Sequence, residues 1–142
     1  MIFNTFRFGD IEIDERLLIR FPAGLLGFPE QKDYAILEHG KGSPFYWLQS
    51  LDAPDLAFVM TNPFLIKEDY LEKLPDEEKS LLCGSEHDEI VVFVLVTVPR
   101  GKAGQSTVNL MSPLVISTKS KTGNQVILLN SGYSHCHPLI AK

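Results

Sequence analysis

Cysteine is scarce: Cys83 and Cys136 are the only two in 142 residues, too few for the disulfide framework of a small secreted domain. Long apolar runs are missing as well. The longest, residues 90–98, has nine residues, whereas a membrane-spanning helix needs roughly 20. Residues 1–7 lack the basic start and the apolar stretch of about 7–15 residues that mark a signal peptide. Together these absences predict free thiols, no membrane span and a cytoplasmic location. Acidic residues are absent from residue 100 onward, where five basic residues stand.

What is present is ordinary for a globular chain. A content of 44% hydrophobic and 22% charged residues excludes wholesale disorder. A chain of this size buries about two-thirds of its unfolded surface, enough for a core without a staple or a metal. One domain over residues 1–142 is therefore expected. The net charge of −5 is uneven, with nine acids against three basic residues in 67–89. Such a segment is either a solvated face or an acidic surface that attracts a basic partner.

Strand signals dominate. Residues 2–8 and 11–14 alternate β-branched and aromatic side chains around Gly9-Asp10, which reads as a hairpin with a two-residue turn. Further short strands are expected at 17–21, 34–38, 45–50 and 56–61, each bounded by Gly, Pro, Asn or Asp. Residues 22–29 carry two glycines and two prolines, so they form an irregular loop that tucks Leu25, Leu26 and Phe28 under a sheet edge. Residues 90–98 are continuously apolar, which predicts burial on both faces. Strands at 107–111 and 114–118 flank Ser112-Pro113, a bulge or a bend between sheets. Thr122-Gly123-Asn124 reads as a turn into a strand over 125–129. A single short helix is expected at about 75–83, with Pro75 and acids at its start and Gly84 past its end. A weaker helical turn fits 67–72. The sum is an all-β fold, a small barrel-like or sandwich domain of short antiparallel strands.

Catalytic signatures are missing. The chain has no Gly-x-Ser-x-Gly elbow and no His-Glu-x-x-His helix. The loop 101–106 is glycine-rich but lacks the ending of a phosphate loop. His135-Cys136-His137 holds metal-ligand residue types, yet adjacent residues on an extended tail point in opposite directions. His39, Cys83 and His87 would have to converge on them by coincidence of the fold. A small metal-dependent hydrolase using His135 and His137 is the alternative reading; the main one has no catalytic residue, no metal, no cofactor and no small-molecule ligand. Arg100, Lys102, Lys119 and Lys121 make at most a small basic patch, and a pI near 5.3 argues against direct nucleic-acid binding.

An ordered set of motifs points elsewhere. Phe21-Pro22-Ala23-Gly24-Leu25-Leu26-Gly27-Phe28 resembles the Phe-Pro-x-Gly-Leu-Pro-Gly-Phe signature of the bacterial flagellar assembly factor FliW family. Ser43-Pro44-Phe45, Leu48-Gln49-Ser50, Thr61-Asn62-Pro63-Phe64 with Asp69-Tyr70, residues 108–114 and 125–128 follow in the family's order. Leu26, where the family often has Pro, and Pro29, where an acid is common, depart from it and bear on the loop's rigidity. The resemblance implies a small β-barrel-like, non-enzymatic regulator of flagellum biogenesis. It implies two alternative protein partners. One is newly made flagellin, whose terminal helices need cover before export. The other is the carbon storage regulator CsrA, which represses translation of flagellin messenger RNA. Capture of CsrA would relieve that repression, and in the family this antagonism is held to be allosteric.

An RNA-binding partner suits an acidic surface, which aids encounter and register. Glu68, Asp69 and Glu72, beside Asn62 and Phe64, are the candidate contacts. Phe64 and Tyr70 are the candidate exposed aromatic anchors. Flagellin's amphipathic helices would need an apolar groove, with Phe45, Trp47 and Leu65 open between groove and core.

Overall fold

The structure, a computed structural model, describes residues 2–5, 9–12, 18–38, 42–72, 90–99, 101, 103–129 and 131–139. The first strands in chain order are β1 (Ile2–Thr5), β2 (Gly9–Glu12), β3 (Leu18–Arg20), β4 (Asp33–Glu38), β5 (Phe45–Ser50) and β6 (Ala57–Thr61). They are followed by β7 (Ile90–Thr97), β8 (Thr107–Val108), β9 (Leu114–Ser117), β10 (Thr122–Gln125) and β11 (His137–Pro138). Among the described residues the helical elements are two single 3-10 turns, Pro63–Leu65 and Ala103–Gln105. No described helix is long and apolar enough to cross a membrane.

Hydrogen bonding runs β7-β6-β5-β4-β3-β10-β9 and returns from β9 to β7, closing a seven-stranded barrel. Closure leaves none of these seven strands with a free edge along the ring. Neighbours are antiparallel throughout the ring except β3 and β10, which meet in parallel at Arg20 and Thr122. β7 shares one edge between two partners: its first half pairs with β9 and its end with β8. Residues 109–113 therefore bulge between two segments on the same edge. The Asn109 Oδ1 accepts the Ser112 N–H at 3.0 Å and holds that bulge. β11 extends the sheet beyond β8, and β1 and β2 form a separate ribbon.

Alternation along the strands fills the barrel. Tyr34 and Ile36 of β4, Leu48 of β5, Met60 of β6 and Leu114 and Ile116 of β9 meet inside, with Phe93 and Leu95 of β7 against them. Phe21 and Leu25 bring the irregular loop into this core. A second cluster covers the outer face of β7: Tyr70, Val94, Val108 and Leu110, with Val92, Val96, Tyr133 and Leu139 at its margin. Both faces of β7 are thus apolar and packed at its middle, where Val94 is buried, but the burial expected along the whole run is not met: Val91 and Val98 are exposed.

Several local expectations are corrected. Gly9 pairs with Thr5 and Asp10 with Asn4, so both belong to β2 and not to a turn. Thr122-Gly123-Asn124 is strand β10, paired with residues 115–117. Glycine is needed there for room: a Cβ on Gly123 would lie 2.6 Å from the Phe21 ring. Beyond Gln125 the chain leaves the sheet and follows the bulge, with Val126 N–H on the Pro113 carbonyl and Leu128 N–H on that of Met111. Of the three side chains expected to tuck under the sheet edge, only Leu25 is buried; Leu26 and Phe28 are exposed. The helix expected at 75–83 lies outside the described residues. Residues 67–72 make tight turns in place of a helix, closed by Tyr70 N–H on Lys67 and Glu72 N–H on Asp69.

Candidate functional site

The end of β6 sets the geometry. Thr61 donates its hydroxyl to the Pro44 carbonyl at 2.9 Å, which ties the start of β5 to the end of β6. Asn62 then takes an extended backbone, and its Oδ1 accepts the Phe64 N–H at 2.9 Å. Proline at the first helical position follows, an arrangement that starts a helical turn. Pro63 is buried, while Phe64 and Leu65 are turned outward, Leu65 to 67% exposure.

The chain then lies across the outer cluster. Phe64 packs edge-on against Tyr70, with ring centroids 5.8 Å apart. Tyr70 is itself buried, so it is a support beneath the surface and not the exposed anchor expected for it. Its hydroxyl donates to the Leu110 carbonyl, and its ring lies 4.8 Å from that of Tyr133. Burial, with a smaller contribution from Tyr133, pushes the Tyr70 hydroxyl's pKa well above the usual tyrosine range. Leu71 follows with φ +76°, a left-handed backbone uncommon for a residue with a bulky side chain. Its N–H donates to the Tyr133 hydroxyl at 2.7 Å. These contacts leave Glu68, Asp69 and Glu72 exposed on one turn. Lys67 offsets part of their charge through a 3.5 Å ion pair with Asp69.

Beside this turn runs a groove of about 1070 Å³ over the outer faces of β5, β6 and the end of β7. Phe45, Trp47, Val59, Leu65, Val96 and Leu139 line it. The three residues left open between groove and core are therefore all on the groove. Among the described residues no charged side chain lines it; Thr61, Thr97 and Ser106 supply its polar atoms. A small-molecule site generally adds convergent polar groups that fix orientation. An apolar trough without them matches the apolar face of an amphipathic segment. Ile66 belongs both to the groove wall and to the outer cluster under the acidic turn, which makes the two surfaces neighbours.

Asn62, Phe64, Glu68, Asp69, Tyr70 and Glu72 thus occupy one continuous stretch: a cap, an exposed ring, a buried support and three exposed acids. Sequence reasoning missed Val59, Ile66, Val96, Tyr133 and Leu139. A signal existed in β5 and β6, where the outward positions Phe45, Trp47, Ala57 and Val59 are apolar although the inward ones already fill the core. Nothing local announces Tyr133 or Leu139, which arrive from the far end of the chain. In the tail His135 and Cys136 are exposed, and His137 sits in β11 opposite Val108; His39, Cys83 and His87 lie outside the described residues. Among the described residues no three His, Cys, Asp or Glu side chains group to hold a metal ion.

Comparison with known proteins covers nearly the whole chain. A family model described as FliW protein matches residues 2–139. The flagellar assembly factor FliW of Magnetococcus marinus is 37% identical over 134 residues, which cover 94% of this chain and 82% of the relative. That of Natranaerobius thermophilus is 39% identical over 132 residues, covering 93% and 87%. A crystal structure of the flagellar assembly factor FliW superposes with a TM-score of 0.84 at 34% identity, covering 99% of this chain and 98% of the other.

Proposed function

Because the chain belongs to the FliW family of flagellar assembly factors, we propose that it serves flagellar assembly as a cytoplasmic, non-catalytic binding protein with two alternative partners. The groove seats a terminal amphipathic helix of flagellin and covers the helix's apolar face before export. The acidic turn recruits CsrA, an RNA-binding protein, and so antagonises its repression of flagellin translation. The observation that carries this reading is the placement of an uncharged apolar groove directly beside a turn bearing Glu68, Asp69 and Glu72. Apolar burial supplies affinity for the helix, and the acids supply encounter rate and register for the second partner.

Trp47, the single tryptophan of the chain, lines the groove and provides the assay. A tryptophan-free peptide from a flagellin terminal helix should shift Trp47 emission to the blue and saturate. Titration calorimetry with CsrA from the same organism should show saturable binding that disappears when flagellin is added first. Heat from neither partner, with the protein shown folded, would overturn the proposal. Binding of flagellin with unchanged Trp47 emission would remove the groove from it.

A further inference from the structure

The barrel ring is complete at β10, and no described residue after Gln125 contributes a strand to it. Residues 131–139 nevertheless touch both parts of the candidate surface. At one end of this segment the Tyr133 ring packs at a tilt against that of Tyr70, and its hydroxyl accepts the Leu71 N–H at 2.7 Å. In the middle, the Ser134 carbonyl accepts the Leu110 N–H at 3.0 Å, while the Leu110 carbonyl accepts the Tyr70 hydroxyl. At the other end Leu139 donates its N–H to Ser106 at 2.9 Å, and its side chain lines the groove and joins the outer cluster.

The segment's ladder is short: β11 pairs with β8 over only two residue pairs at the edge of the sheet, and elements of this kind open locally before the core does. The turn it supports needs that support. Leu71 holds a left-handed backbone, which a leucine relaxes out of unless surrounding contacts fix it, and the Tyr133 hydroxyl is the acceptor that fixes its N–H.

We propose that residues 131–139 form a strap that couples the groove to the acidic turn: Leu139 senses what fills the groove, and Tyr133 positions the turn that carries Glu68, Asp69 and Glu72. An occupant packed on Leu139 holds the strap down, and the strap holds the turn in its left-handed geometry. The identity of the occupant rests on the flagellin reading; the coupling within the chain does not. Tyr133 acts here as a positioning residue, through Leu71, with no contact of its own to a partner.

The test is amide hydrogen exchange of the full chain, read residue by residue by NMR. Tyr133→Phe keeps the ring and removes the acceptor, so Leu71 exchange should rise about ten-fold while ring amides such as those of Leu48 and Met60 keep their protection. Leu139→Ala, made on the groove wall, should raise Leu71 exchange as well, and the milder Leu139→Val serves should the alanine variant lose the ring amides. In the wild-type protein a flagellin terminal-helix peptide should slow Leu71 exchange. Leu71 exchange unchanged in the Leu139 variants overturns the coupling, whatever the peptide does. Coupling seen in those variants, with no response to the peptide, upholds the strap and counts against flagellin as the occupant.

Discussion

Two glycines of the Phe21–Phe28 signature allow a matched test of what the loop requires. Gly24 and Gly27 both adopt a left-handed backbone, with φ +68° and +85°, so alanine at either meets the same intrinsic penalty of about 1–2 kcal/mol. Reduced freedom of the unfolded chain returns about 0.4–1 kcal/mol of that. The surroundings differ. A Cβ on Gly27 would meet nothing within 4 Å, whereas one on Gly24 would lie 2.5 Å from the Phe28 carbonyl oxygen and 2.6 Å from the Pro29 Cα. The latter are backbone atoms, and the approach is roughly 1 Å short of the ~3.5 Å optimum. Relief requires moving residues 28–29, which opens the Leu25–Phe28 bridge and disturbs the 2.8 Å bond from Gly24 N–H to the Phe21 carbonyl. Overpacking costs about 1–3 kcal/mol and each lost bond about 1 kcal/mol. Gly27→Ala should therefore cost about 1 kcal/mol and Gly24→Ala about 3–5 kcal/mol. Urea denaturation at a common m-value measures both. Equal losses at the two positions, within about 0.5 kcal/mol, would refute the reasoning, because backbone conformation alone would then explain the glycines.

Asn62→Ala removes the cap on the Phe64 N–H and should cost about 1 kcal/mol in a calorimetric melt; an unchanged melt would mean the turn holds without it. Asp69→Lys combined with Glu72→Lys should leave that melt alone, because both side chains are exposed. The pair should weaken CsrA binding and flatten its dependence on salt, and unchanged affinity in a folded variant would exclude the acidic turn. Tyr34 and Tyr70 predict an alkaline weakness. Burial, aided by Asp52, pushes the Tyr34 hydroxyl from 10.0 up to about 12, so its contribution is full below pH 10 and is lost as pH rises toward 12. Tyr34→Phe removes a buried hydroxyl that has no partner among the described residues and should leave neutral stability nearly unchanged while flattening that alkaline limb. A large loss at pH 7 would show that the hydroxyl is satisfied in solution.

Runs of β-branched and aromatic residues bounded by turn chemistry made β3 to β7 legible. That signal failed where composition and tertiary demand conflict. Thr122-Gly123-Asn124 has the residues of a turn, yet Gly123 sits in β10 because the Phe21 ring occupies the space a side chain would take. Gly9-Asp10 carries the same local signal and is overridden by pairing with residues 4 and 5. The site divides along the same line. The stretch from Asn62 to Glu72 could be read as one patch, since its residues are adjacent in the chain. The burial of Tyr70 could not, because the residues that cover it, Leu110 and Tyr133, lie far along the sequence. Phe45 and Trp47 are apolar at outward positions, and only the pairing of β5 with β6 and β6 with β7 shows that these positions form a trough.

Closure of the barrel constrains how the chain reaches its native state. Arg20 meets Thr122, so roughly a hundred residues must be looped before the last seam forms, a non-local step of the kind that slows folding. On the ribosome β3 to β6 emerge first and can pair in sequence, but the outer edge of β3 has no neighbour until β10 has been made. During that interval the nascent sheet offers unpaired N–H and C=O groups to any other extended chain. A chain truncated before residue 122 would accordingly be an open sheet prone to associate, not a smaller barrel.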